Sequence, residues 1–146
     1  MNVLSHSEAI SSLIRWSGLA LVLAGVSLAA FMLIHPFGAV AGADVAARFT
    51  WIPSHTFHFL GALFALFGLV GLHLRQLQVT GKLGSIGFVI AFIGTAMFVG
   101  TGMITAFLWP VIATSAPDFV SAEGPMFKAR LAISTTTATY LFLVVG

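Results

Sequence analysis

Apolar residues run in long blocks along this chain, and the polar and charged positions collect between the blocks instead of alternating with them. Blocks of this length predict helices that cross a bilayer, where every backbone polar group must be satisfied within the segment. The first, Trp16 to Ile34, holds 19 residues without a charge, about 28 Å of helix against a hydrocarbon thickness of about 30 Å. Upstream, Ser5 followed by Glu8 has the spacing of a capping box and predicts a helix start near Ser7. His35-Pro36 predicts its end, because proline disfavours the helical conformation in the residue before it and donates no backbone hydrogen bond. Residues 36–50, rich in Gly and Ala and carrying Asp44 and Arg48, predict a loop.

A second helix enters through Trp51, read as an aromatic interface anchor, and Pro53, a residue preset for a first helical turn. It runs to about Gln76. The connection Val79-Thr80-Gly81-Lys82 is short, so the third helix, about Leu83 to Leu108, must run antiparallel to the second. Trp109-Pro110 marks its far interface, and residues 111–127, with Pro117, Asp118, Glu123 and Pro125, predict a second loop on the same side as the first. Lys128 and Arg130 precede a last apolar run, Leu131 to Val145. That run is 15 residues, about 22 Å as a helix, and stops without a flanking charge or aromatic anchor, so the natural chain is expected to continue past Gly146. The pattern predicts an all-α integral membrane protein, an antiparallel transmembrane helix bundle in one domain. It has three complete spans, about 12–34, 54–76 and 83–108, plus a fourth partial span, 131–146.

Composition sharpens this reading. The 146 residues are 59% hydrophobic and 7% charged, with a mean hydropathy of +1.08, against about 25% charged in soluble domains. Six basic residues against four acidic ones give a net charge of +2, too few and too scattered to make the basic face that nucleic-acid binding needs. The chain has no cysteine, which excludes disulfides, thiolate metal sites, iron–sulfur clusters, a Cys nucleophile and c-type haem. Arg15 ahead of an apolar run, with Ser27-Leu28-Ala29 after it, imitates a secretory leader; the run is read here as an uncleaved membrane helix. Basic residues divide evenly, Arg15, Arg75 and Lys82 on one side and Arg48, Lys128 and Arg130 on the other. The tight, acid-free turn on the first side favours a cytoplasmic N-terminus in a cell membrane.

Small residues recur at packing distances: Ala20, Ala24, Gly25 and Ala29 in the first helix, Gly61, Ala65 and Gly68 in the second, Gly87, Ala91 and Thr95 in the third. In lipid such residues let helices approach closely, within the chain first and onto another subunit second. Phe57, Phe59, Phe64 and Phe67 are spread around the second helix and read as core or lipid-facing residues.

Candidate chemistry is confined to histidines. His35 closes the first helix, and His55 and His58 open the second, so the intervening loop returns all three to one membrane face. His55 and His58 are three apart, neighbours on a helical face. The leading expectation is interfacial histidines without a cofactor; a haem or chlorophyll-type pigment held through His58 or its neighbours comes next, and a metal ion joined by Asp44, Asp118 or Glu123 last. A bis-histidine haem could use only His35 with His55 or His58. His73, beside Arg75 and Gln76, is expected at the opposite interface with its ring reaching water.

There is no phosphate loop, no GxSxG, no HExxH and no carboxylate pair, so neither an enzyme nor a nucleotide-binding protein is expected. The carboxylates lie outside the spans, which disfavours a pump or ion-coupled carrier. Thr101, Thr105, Thr135-Thr136-Thr137 and Thr139 are expected to bond their own helix backbone. The spacing of the spans resembles that of many small multi-pass bacterial membrane proteins, a likeness of size and hydropathy alone. The function expected from the sequence is a non-catalytic accessory or scaffold subunit of a larger membrane complex, with respiratory and photosynthetic electron-transfer assemblies as candidate hosts. The alternative is a histidine-ligated membrane protein that binds haem, chlorophyll or bacteriochlorophyll. The partners expected are the lipid bilayer and either other membrane subunits or a second copy.

Overall fold

The computed structural model describes residues 3–36, 48–121, 124–128, 137–139, 141 and 144. Among these there is no strand, and three helices are long and apolar enough to cross a membrane. The all-α membrane bundle is therefore observed. Helix α1 spans Val3–Ile34, α2 spans Trp51–Gln76 and α3 spans Gly81–Met103. Asp44, Glu123, Arg130 and most of the fourth apolar run lie outside the described residues, as do Thr135 and Thr136.

Helix α1 already begins at Val3, ahead of the start expected near Ser7, and the Glu8 carbonyl accepts the Ser11 hydroxyl at 2.9 Å. At the other end His35-Pro36 stops the helix as expected, with the His35 N–H closing the last turn on the Phe31 carbonyl at 2.9 Å. Gly81 makes the tight connection between α2 and α3 with φ of +57°, a conformation that residues with a Cβ rarely adopt.

Helix α2 lies between α1 and α3 and packs on both, whereas α1 and α3 share no packed interface among the described residues. The α1–α2 seam is built on small residues, as lipid requires. A Cβ at Gly61 would overlap Leu28, one at Gly68 would overlap Leu21, and one at Gly71 would overlap Ser17. These three pairs fix the antiparallel register and bury Ala24 between them. Gly25 and Ala29 are not part of the seam: both face outward, and Gly25 has open space around it. Against α3, the backbone of Phe59 approaches Gly102, where a Cβ would not fit. Of the phenylalanines, Phe59 packs edge-on to Phe107 with centroids 5.8 Å apart, while Phe57 and Phe67 are exposed to the surroundings.

Trp109-Pro110 does not end the third span. The helix continues without a break over Gly81–Ser115, 35 residues, through a π-helical turn at Ile104–Leu108 and a further helix α4 at Trp109–Ser115. The wider turn accommodates Pro110, which would otherwise clash with the carbonyl four residues earlier and break the ladder. In this turn the Trp109 N–H bonds the Ile104 carbonyl, which takes away the α-helical donor of the Thr105 carbonyl. The π-helical donor would be Pro110, which has no N–H. The indole of Trp51 supplies the missing bond, donating to the Thr105 carbonyl at 2.9 Å.

Residues 111–127 are likewise not a plain loop. Beyond α4 the chain makes a 3-10 turn at Pro117–Val120 and a short helix α5 at Pro125–Lys128. Val120, fully buried, and Ala113 form a small core with Trp109, Ile112 and Met126 around it. The threonine hydroxyls of the third span are satisfied locally. Thr101 donates to the Met97 carbonyl at 3.1 Å and Thr105 to the Thr101 carbonyl at 2.9 Å, the backbone bonding expected of them.

Candidate functional site

The antiparallel register carries the end of α1 to the start of α2, and the structure brings His35, His55 and His58 together. The ring centroids of His35 and His55 are 5.0 Å apart and those of His55 and His58 are 6.4 Å apart. Both α2 histidines are buried, His58 at 5% exposure. Burial pushes the pKa of His35, beyond the end of the α1 span, below its usual value.

Aromatic rings from all three spans enclose the cluster. Phe31 stacks on His58 at 4.9 Å and meets His35 edge-on at 4.8 Å. On the other side Phe98 of α3 lies 4.2 Å from His58. Trp51, read from the sequence as an aromatic interface anchor, is 7% exposed, so its ring packs inward as a core residue. It stacks on His55 with centroids 4.1 Å apart and lies 5.8 Å from Trp109.

The hydrogen bonds orient one histidine and leave an atom of another unused. His55 Nδ1 donates to the Trp51 carbonyl at 2.9 Å, and the same carbonyl accepts the Ser54 hydroxyl at 2.9 Å. This bond assigns the Nδ1–H tautomer and leaves Nε2 with a lone pair, the orientation that ligating histidines commonly use. His58 Nε2 is buried without a hydrogen-bond partner among the described residues. A buried polar atom in that state costs about 1–3 kcal/mol relative to a satisfied one.

The three rings meet through their faces and edges. Among the described residues no group of three His, Cys, Asp or Glu could hold a metal ion. Asp118 is exposed in the turn after α4, and its carbonyl accepts the Ser121 hydroxyl at 2.9 Å. A haem between His35 and His55 does not fit this packing: two axial imidazoles on metal–nitrogen bonds of ~2 Å need centroids roughly 6 Å apart, and Phe31 fills the adjoining space. His58 Nε2 is the nitrogen that a single axial contact could use.

His73 lies at the opposite end, as expected, but it is half-buried and stacks flat on Phe88 of α3, with centroids 4.0 Å apart and planes 10° from parallel. The stack borders a groove of about 240 Å³ between α2 and α3 that Gln76, Thr80 and Gly87 also line.

Sequence reasoning did not find Phe31, Phe98, Trp51 or Thr105 as members of the histidine site. Trp51 and Phe31 had a local signal, since each stands four residues before a histidine, His55 and His35, and so lies on the same helical face. Comparison of the chain with family models, curated proteins and solved structures returns no match.

Proposed function

We propose that this chain is a non-catalytic structural subunit that packs laterally in the membrane against another subunit or a second copy of itself. The observation that supports it is the outward stripe of α1. Gly18, Val22, Gly25 and Ala29 are all exposed, and nothing lies within 4 Å of a Cβ built at Gly18 or Gly25. The stripe faces away from the α2 seam. Glycine weakens a helix by about 1 kcal/mol relative to alanine, and in lipid it is found where a neighbouring backbone comes close. The histidine and tryptophan cluster suits such a role, because it clasps α1, α2 and α3 together at one end and makes a firm module of thin helices. A cell membrane with the Arg15 end cytoplasmic is the placement that the acid-free α2–α3 turn favours.

The test is association in mild detergent. Cross-linking of the wild-type protein in native membranes should give a dimer or a discrete larger species. Gly18→Leu with Gly25→Leu should abolish it while helicity and thermal stability hold. A wild-type protein that stays monomeric at every detergent ratio and yields no cross-linked species overturns the proposal.

One observation favours a second reading, a tetrapyrrole held by a single histidine once Phe31 and Phe98 swing off its ring: His58 Nε2 has no hydrogen-bond partner among the described residues. Such a group would supply electron transfer or light absorption. A visible spectrum of the protein purified from native membranes decides it. A Soret or chlorophyll-type band lost in His58→Ala supports this reading, and a colourless preparation removes it.

A further inference from the structure

A continuous groove runs along the α1–α2 pair on a different side from the Gly18–Gly25 stripe. Its part between α1 and α2, about 280 Å³, is lined by Leu19, Ala20, Leu23, Phe64 and Phe67. The outer part, about 310 Å³, is lined by Ser12, Arg15, Trp16 and Leu19. Trp16 and Leu19 belong to both, so the open apolar groove adjoins a cationic, hydroxyl-bearing depression on the surface of α1.

The membrane depth of that depression follows from the helix geometry. Arg15 precedes His35 by 20 residues, about 30 Å of helix and so one hydrocarbon thickness. Trp16, 67% exposed, sits where tryptophans line the membrane–water boundary. Ser17 lies against Gly71 in the seam, which puts Arg75, one turn beyond Gly71, at the depth of Arg15. Arg75 also falls three turns after Phe64, on the same stripe of α2. Both arginines are exposed, and neither has an ion-pair partner among the described residues. The acidic group nearest in sequence to Arg15 is Glu8, two turns further out and about 10 Å away along the helix.

We propose that this groove is a binding site for an anionic phospholipid, with the phosphate at Arg15 and Arg75, the Ser12 hydroxyl beside it, and one acyl chain lying along Leu19, Leu23, Phe64 and Phe67. A zwitterionic lipid could fill the apolar part equally well. The two guanidinium groups are what select negative charge, since each basic group near an anionic headgroup favours it about five-fold.

Trp16 lines the site and reports on it. The other two tryptophans, Trp51 and Trp109, lie at the opposite end, so the difference between wild type and Trp16→Phe isolates its emission. The protein is reconstituted in phosphatidylcholine vesicles, and brominated phosphatidylglycerol or brominated phosphatidylcholine is titrated in at low salt. Trp16 should be quenched by the anionic lipid with an apparent preference of about 25-fold, about five-fold from each arginine. The preference should fall about five-fold in Arg15→Gln, disappear in the Arg15→Gln, Arg75→Gln double variant, and survive in Arg15→Lys. Circular dichroism, together with Trp51 and Trp109 emission, checks that each variant is folded. Equal quenching by both lipids in wild type means annular lipid only and overturns the proposal. A preference unchanged in the double variant also overturns it, and so does a Trp16 quenched by neither lipid, which would mean a protein segment covers the groove.

Discussion

Replacing Trp51 by phenylalanine keeps an aromatic ring against His55 and removes one N–H. In the native structure that N–H reaches the Thr105 carbonyl at 2.9 Å, whose two possible backbone donors are diverted to Ile104 or missing at Pro110. The variant therefore loses a hydrogen bond and strands an acceptor where water is scarce. Interhelical hydrogen bonds in membranes contribute about 0.6 kcal/mol on average and up to about 1.7, and an abandoned buried acceptor costs about 1–3 kcal/mol, so Trp51→Phe should destabilise the fold by about 1–2 kcal/mol. Pro110→Ala returns a backbone N–H at that position, giving the turn a donor of its own. In that background the cost of Trp51→Phe should drop below half. The assay is reversible unfolding of the four proteins of this cycle in dodecylmaltoside with increasing dodecyl sulfate, followed by near-ultraviolet circular dichroism of Trp109. Equal costs in both backgrounds would refute the idea that the indole stands in for the donor proline lacks.

Three further outcomes are expected. Gly71→Leu places a side chain where Ser17 already lies and should destabilise the α1–α2 hairpin by about 1–3 kcal/mol, whereas the same change at Gly87, where nothing lies within 4 Å, should have little effect in the same titration. His58→Phe replaces a buried ring with an unused nitrogen by an apolar ring of similar size; stability should hold or rise by about 1 kcal/mol, and a loss larger than that would show that Nε2 has a partner. Because burial holds the His35 pKa below its unfolded value of 6.5, the unfolded chain binds the extra proton first as pH falls. Stability should then decline as the solution is taken from pH 7 towards 5, and His35→Asn should flatten that slope in pH-dependent melting curves.

The three spans were legible because they rest on a local property, runs of uncharged residues bounded by His35-Pro36, Trp51, Gln76 and Lys82. The end of the third was misread for a reason no local pattern could reveal. Trp109-Pro110 reads as a stop, and what carries the helix past it to Ser115 is a π-helical turn whose open carbonyl is matched by an indole 54 residues earlier. The depth of the histidines could be read from the return of the chain, but their neighbours could not. Helices that are apolar on every side carry little record of which face turns inward, so nothing in the sequence put Phe31 and Phe98 on either side of His58. For the same reason Ala24 and Gly25, adjacent in sequence, have opposite fates. One is buried under α2, and the other faces away.

The register of the α1–α2 hairpin has a mechanical consequence. Leu28, Leu21 and Ser17 each rest in the notch left by a glycine of α2, so the two helices are indexed against each other like a ratchet at rest. A one-turn slide of α1 along α2 would pull both leucines out of their notches and drive them against side chains with no space for them. The hairpin therefore makes a poor piston, and any message carried across the bilayer by this chain would have to travel as rotation of the pair or as a shift of α3 about its π-helical turn.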